Sequence, residues 1–110
     1  MHRITERDGH YEITLTRGDT LILDITMESD GEPFKPTSGT VKFAMKPAYD
    51  ATAAIEKTIP LETMELEITP NDTKTLPIGE RYVFDISYTD AAGHVDTFVE
   101  GVFRIAPEVG

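Results

Sequence analysis

The 110-residue sequence contains no cysteine and no tryptophan, and very little serine. Without cysteine the chain has no disulfide framework, no zinc–thiolate centre and no thiol nucleophile, which suits synthesis in a reducing cytoplasm. The few serines are Ser29, Ser38 and Ser87, and none lies in a GxSxG elbow. A glycine-rich phosphate loop is also missing. This composition predicts a protein that is not an enzyme and needs no cofactor.

Long apolar runs are missing as well. No stretch approaches the roughly 20 residues of a membrane helix, and the opening MHRITERDGHYEI lacks the apolar core of a signal peptide. Asp and Glu number 20 against 10 Lys and Arg, which gives a formal net charge of −10. Because anionic surfaces repel such a chain, we expect no nucleic-acid binding and no membrane insertion. The expected partners are proteins.

Apolar side chains recur at every second position through most of the chain. This period puts one row of side chains on a buried face and the other in solvent. Turn signals separate the alternating segments, which predict strands near residues 11–16, 21–28, 41–46, 55–59, 64–69, 81–89 and 94–106. The predicted fold class is therefore all-β: a single antiparallel, immunoglobulin-like β-sandwich of about seven strands.

Two segments are less regular. Residues 51–57 have a helix-forming composition, but residues 53–59 also alternate, and we favour a short strand at 55–59. In the last strand the apolar row changes parity, which predicts a bulge near Glu100–Gly101. Common parity on facing strands predicts the core residues Leu23, Ile25, Phe43, Leu66, Tyr82, Phe84 and Ile86.

A corner joins the strands at 64–69 and 81–89. Tyr82 lies six residues after Leu76, with Pro77 and Gly79 between them. This spacing is typical of the tyrosine corner of immunoglobulin-like sandwiches, in which the tyrosine hydroxyl bonds to upstream backbone. We therefore assign Tyr82, Leu76 and Gly79 to a structural corner, with the hydroxyl bonded within residues 71–76.

The predicted domain spans residues 11–106, between a flexible N-terminal arm (1–10) and a short tail (107–110). The arm is polar and without period, and it carries Arg3 and Arg7. An edge strand at 11–15 would have only one glutamate to prevent pairing with another chain. Arg3, Arg7, Tyr11 and Ile13 are therefore the candidate interface with copies of the chain or other proteins.

The remaining motifs favour structural over chemical roles. Arg17-Gly18-Asp19 matches the integrin-binding tripeptide, but its composition is typical of a tight turn. The histidines have no metal-ligand spacing, and no DxDxDG calcium loop is present, so no metal is predicted. Of the aromatic residues, only Phe34, Tyr49 and Phe98 fall outside the buried rows and are candidates for stacking on a sugar.

Several segments resemble small β-sandwich proteins of tailed phages and prophages, including the N-terminal domain of baseplate upper proteins. The matching segments are RGDT (17–20), VKFAMK (41–46), ITPNDT (68–73), Leu76, Gly79, YVFDI (82–86), GHVDT (93–97) and GVFRI (101–105). Together they lie within residues 11–106.

This resemblance implies a non-enzymatic structural part of a virion, in the tail or baseplate, made in the bacterial host cytoplasm. The implied partners are other virion proteins and copies of the chain itself. A carbohydrate- or receptor-binding β-sandwich module is the alternative.

Overall fold

The fold is described by a computed structural model that covers residues 2–7 and 10–108; among residues 2–7, only the side chain of Ile4 is described. Ten strands and one short helix follow one another in this part of the chain. Their bounds are β1 His2–Arg7, β2 His10–Thr16, β3 Leu21–Asp24, β4 Met27–Ser29, β5 Glu32–Phe34, β6 Thr40–Lys46, β7 Ile55–Ile59, β8 Glu65–Ile68, α1 Pro70–Thr73, β9 Arg81–Thr89 and β10 Val95–Ala106. The predicted all-β class is confirmed.

The strands form one large sheet and two small ones. The six-stranded sheet has the order β1-β2-β10-β9-β6-β7, while β3 pairs with β8 and β4 pairs with β5. Every neighbouring pair is antiparallel except β2 and β10, which run parallel. The prediction of a purely antiparallel fold is therefore wrong, because β10 pairs with the edge of β2 opposite β1 and runs in the same direction as β2.

The core lies between the six-stranded sheet and the β3–β8 pair. Phe43, Phe84 and Phe103 come from three adjacent strands and place their ring centroids 5.7 to 6.5 Å apart. All three are buried, together with Leu66 on the opposite layer. Burial of each such side chain contributes about 1.5–3 kcal/mol, so this contact between layers accounts for much of the stability.

Most of the predicted core is confirmed, but one strand of it is only partly covered. Phe43, Leu66, Tyr82, Phe84 and Ile86 are buried, whereas Leu23 and Ile25 are half-buried and pack against the edge of the core. Their parity is correct, since Leu23 lies opposite Leu66 in the β3–β8 pair. They remain half-buried because a two-stranded sheet cannot cover a six-stranded one.

Gly101 allows β2 to approach β10. A Cβ at this position would overlap the backbone carbonyl oxygen of Tyr11 and also crowd the Phe84 ring. The predicted bulge does not lie here: the register shifts between Thr97 and Val99, which leaves Phe98 as the extra residue. The glycine therefore marks a close approach between neighbouring strands.

The predicted arm contains a strand. β1 pairs with β2 in antiparallel register, and Ile4 lies opposite Ile13 on the core side of the sheet. The strand was not predicted because its sequence is polar and lacks apolar alternation. An edge strand is held chiefly by main-chain hydrogen bonds, which do not require an apolar row. Met1 and residues 8–9 of the predicted arm, and residues 109–110 of the predicted tail, lie outside the described residues.

The predicted second strand is interrupted. β3 ends at Asp24, and β4 begins at Met27 and turns back into β5. Asp30 and Gly31 form the turn with φ values of 54° and 80°, the left-handed pair that a tight hairpin requires. The predicted strand at 55–59 is confirmed.

Candidate interaction surfaces

The corner before β9 is organised by Asp72 and not by Tyr82. Its carboxylate Oδ2 accepts hydrogen bonds from the Thr69 backbone N–H (2.8 Å) and hydroxyl (3.0 Å) and lies 2.8 Å from Lys57 Nζ. In return the Thr69 hydroxyl accepts from the Asp72 N–H, which completes a capping box on α1. Thr69 and Asp72 thus fix where β8 ends.

Burial by itself raises the pKa of the Asp72 carboxyl, but the hydrogen bonds from Lys57 and Thr69 outweigh it. The pKa is consequently lowered from 3.8. Lys57 comes from β7, at the far edge of the large sheet, so this ion pair ties that edge to the corner.

The predicted tyrosine corner is wrong in its central contact. Tyr82 is buried, but within the described residues its hydroxyl makes no hydrogen bond to residues 71–76. Burial, and then the nearby Glu80, raise the pKa of this hydroxyl. Instead, the Leu76 N–H donates to Thr73 and the Gly79 N–H to Ile105. The backbone N–H groups of Thr69 and Asp72 already have partners in the capping box, so the corner forms without a hydrogen bond from the tyrosine.

The Arg17-Gly18-Asp19 segment is a tight turn, as predicted. Gly18 has a φ of 91°, and the Asp19 N–H donates to the Thr16 carbonyl at 3.1 Å. The Gly18 N–H also donates to the buried Thr73 hydroxyl, which docks the turn against α1. Arg17 pairs with Glu108 at 3.4 Å. The tripeptide therefore has a complete structural role.

The predicted interface residues lie on two strands: Arg3 and Arg7 on the edge strand β1, and Tyr11 and Ile13 on the inner strand β2. Tyr11 is half-buried and Ile13 is buried in the core, so Ile13 cannot contact a partner. The prediction that β2 is an exposed edge is wrong, because β1 covers one side and β10 the other. Arg3 and Arg7 pair through their backbone with β2, but their side chains lie outside the described part of the structure.

An apolar groove of about 240 Å³ runs along the partly covered side of the core. It is lined by Ile4 from β1, by the half-buried Leu23 and Ile25, and by Tyr11 and Val99. β3 ends at Asp24, and residues 24–26 form part of the groove's wall.

A shallow depression of about 250 Å³ lies on the opposite, outer face of the six-stranded sheet. His10, Lys46, Arg81, Asp85 and Glu100 bring charged or polar groups to it. Tyr49, of which 84% is exposed, stands at its border. An exposed ring beside charged hydrogen-bonding groups is an arrangement suited to a polar ligand such as a sugar.

The other two aromatic candidates are not free to bind a ligand in this way. Phe34 is 38% exposed and packs edge-on against Tyr88, with ring centroids 6.0 Å apart. Phe98 is half-buried and packs against the core. Of the three, Tyr49 alone offers most of its ring to solvent.

Each layer has, on its outer face, a pair of like charges on neighbouring strands. On the β3–β8 pair, Asp24 lies directly opposite Glu65. On the large sheet, Arg81 of β9 lies directly opposite Arg104 of β10. All four side chains are exposed, and none forms an ion pair within the described residues. Like charges in this position are destabilising.

The described residues contain no group of three or more His, Asp or Glu side chains arranged to hold a metal ion. His94 is exposed and lies 3.2 Å from Asp90 in the hairpin before β10. Nor does the described structure contain a helix long and apolar enough to cross a membrane. Comparisons with protein-family models, curated proteins and solved structures find no match to this chain.

Proposed function

We propose that this chain is a non-enzymatic structural and assembly subunit of a phage or prophage particle, in its tail or baseplate. As a virion component it would contact other virion proteins and copies of itself, without binding nucleic acid or inserting into a membrane. The resemblance of its short segments to phage β-sandwich proteins is the origin of this proposal.

An immunoglobulin-like sandwich is the architecture we propose for this role. The parallel pairing of β2 with β10, and the separate β3–β8 layer, are compatible with it. The phage-like segments fall on structurally important positions: the turn before β3, strand β6, the capped corner, and both strands of the β9–β10 hairpin. They therefore belong to one framework.

The observation that carries the assembly role is the number of open strand edges. β1 and β7 end the large sheet, and β3, β8, β4 and β5 form pairs, so six of the ten described strands have a partner on one side only. Open edges are templates for pairing with another chain. Neighbouring subunits in a particle would cover them.

Purified particles provide the test. We expect the chain to co-purify with particles in a fixed ratio to a known tail protein, as measured by quantitative mass spectrometry. A chain that stays in the soluble fraction while complete particles form without it would refute the proposal.

The β1 edge can be tested separately by removing residues 1–10. Truncation moves the sheet edge to β2, and we expect incorporation into particles to fall. Circular dichroism of the truncated chain controls for loss of fold. Normal incorporation of the truncated chain would show that this edge takes no part in assembly.

The alternative, a carbohydrate- or receptor-binding module, is favoured by Tyr49 and the depression beside it. On a glycan array, Tyr49→Ala should abolish any binding that the wild-type chain shows. Ile78→Ala, at an exposed residue away from the depression, is the matched control. Glycan binding that survives Tyr49→Ala would exclude this site.

A further inference from the structure

Two exposed patches of opposite charge occupy the outer faces of the two layers. The acidic patch consists of Asp24, Glu65 and Glu67 on β3 and β8. These two strands contain no Lys or Arg. The half-exposed Ile22, opposite Glu67, adds an apolar contact surface to it.

The cationic patch consists of Lys46, Arg81 and Arg104 on β6, β9 and β10. Arg81 and Arg104 are paired, and Lys46 lies opposite Val83, two residues along β9. The flanking Glu12 and Glu80 make no ion pair with these residues within the described structure. Asp85 and Glu100 lie opposite each other farther along the same face, beside the half-buried Lys46. The paired Arg81 and Arg104, four residues away along β9 and β10, are therefore the centre of the cationic patch.

The two patches point in opposite directions, because each lies on the side of its layer that faces away from the shared core. The paired Asp24 and Glu65 on one face are opposite in charge to the paired Arg81 and Arg104 on the other. The total charge of −10 makes most contacts between copies repulsive. Contact between the cationic patch of one copy and the acidic patch of the next is the attractive exception.

We propose that copies of this chain stack head to tail through these two patches. The proposal rests on the assembly function and names the partner as a second copy. Such a contact uses different surfaces on the two copies, so repetition generates a ring if the rotation closes and a fibre if it does not. Each contact also places opposite charges beside the Asp24–Glu65 and Arg81–Arg104 pairs and removes their like-charge repulsion.

Sedimentation velocity of the purified chain tests the contact. In about 0.01 M salt we expect concentration-dependent association, and in about 1 M salt we expect monomers, because screening shortens the range of the attraction from about 30 to 3 Å. A wild-type chain that is monomeric at about 1 mM in low salt would overturn the proposal.

Charge reversal identifies the surfaces. Asp24→Lys with Glu65→Lys makes both patches cationic, and Arg81→Glu with Arg104→Glu makes both acidic. Each double variant should associate at least about tenfold more weakly than the wild type, whereas their mixture should associate again, since every contact then joins opposite charges. A mixture that stays monomeric would overturn the proposal.

Net charge alone predicts a different result. Reversing two acids changes the charge from −10 by +4 to −6, which reduces general repulsion and should strengthen nonspecific association. Head-to-tail stacking predicts weaker association for the same variant. Unchanged or stronger association would refute these patches as the contact, while leaving the assembly function open to the particle test.

One control tests for general effects of changing surface charge, and a second set of variants covers loss of fold. Exchanging the Lys42–Glu56 ion pair, by Lys42→Glu with Glu56→Lys, keeps the net charge and should leave association unchanged. Should a double variant lose its fold by circular dichroism, Glu65→Gln and Arg104→Gln remove one charge from each patch. Each of these should still weaken association, and wild-type association by both would refute the stacking contact.

Discussion

Replacing Asp72 with alanine tests the corner that joins β8 to β9. A single carboxylate oxygen accepts from the Thr69 N–H and hydroxyl and pairs with Lys57. The substitution removes all of these contacts at once. It also leaves the Lys57 ammonium, on the core-facing side of an edge strand, without its partner.

The expected loss of stability follows from these contacts. Asp72→Ala keeps the bond from its own N–H to the Thr69 hydroxyl but loses the carboxylate's two hydrogen bonds to Thr69, which costs about 1 kcal/mol. The Lys57–Asp72 ion pair has side chains that are 30% and 20% exposed, and a pair of this kind contributes roughly 0.5–1 kcal/mol. We therefore expect Asp72→Ala to lower the free energy of unfolding by about 1.5–2 kcal/mol, and the melting temperature by roughly 6–8 °C. Asp72→Asn keeps an acceptor for Thr69 and should lose about half as much.

Urea denaturation at neutral pH measures this difference, with Asn71→Ala on the exposed side of the same helix as the control. A double-mutant cycle with Lys57→Met isolates the ion pair. The reasoning is refuted if Asp72→Ala unfolds within about 0.5 kcal/mol of the wild type, the usual scatter of independent sites.

The same contact predicts a pH dependence. Because the folded-state pKa of Asp72 is lowered from 3.8, its stabilising contribution is complete above that value and disappears as the pH falls through the lowered folded-state pKa. The stability difference between wild type and Asp72→Ala should therefore shrink in acid. A difference that stays constant down to acid unfolding would mean that the charge of Asp72 contributes nothing.

Three further comparisons test the core and the sheet. Leu66→Ala should cost about 2–5 kcal/mol because Leu66 is fully buried, whereas Leu23→Ala on the facing strand should cost about half as much. Tyr88→Phe removes a 2.9 Å hydrogen bond to a backbone carbonyl and should cost about 0.5–1 kcal/mol, but Tyr82→Phe should change stability by less than about 0.5 kcal/mol. Gly101→Ala should cost more than about 2 kcal/mol, since its methyl group overlaps the backbone of β2. Chemical denaturation measures all three, and the reversed order in either pair, or a neutral Gly101→Ala, would contradict the structure.

Local alternation was enough to predict most of the strands, though not β1 or the β4–β5 pair, and it did not predict the strand order. The apolar rows around Phe43 and Phe84 predict β6 and β9 directly, because each strand reports its own buried face. Nothing in those rows indicates that β10 lies between β2 and β9. Strand order depends on contacts between residues far apart in sequence. Alternation alone therefore suggests β2 as the edge of the sheet, and the prediction of Ile13 at an interface is wrong for that reason.

The corner shows how one residue type can suggest the wrong contact. Tyr82 has the sequence spacing from Leu76 that is typical of a tyrosine corner. The structure instead contains a capping box between Thr69 and Asp72, and the sequence TPND carries residue types suited to it. The opposed Arg81 and Arg104 were not predictable, because only the β9–β10 register makes them neighbours. Alternation along one strand gives its buried face but not its register with the next strand, so the Arg81–Arg104 pair could not be predicted.

The position of β10 also affects how the fold forms during synthesis. Residues 95–106 fill the centre of the large sheet, between β2 and β9, and of the described strands they are synthesised last. Until then the β1–β2 hairpin and the β9-β6-β7 group are separate pieces, each with an open inner edge. Chains that lack residues 95–106 therefore expose strand edges that the finished fold conceals, and exposed edges of this kind favour aggregation.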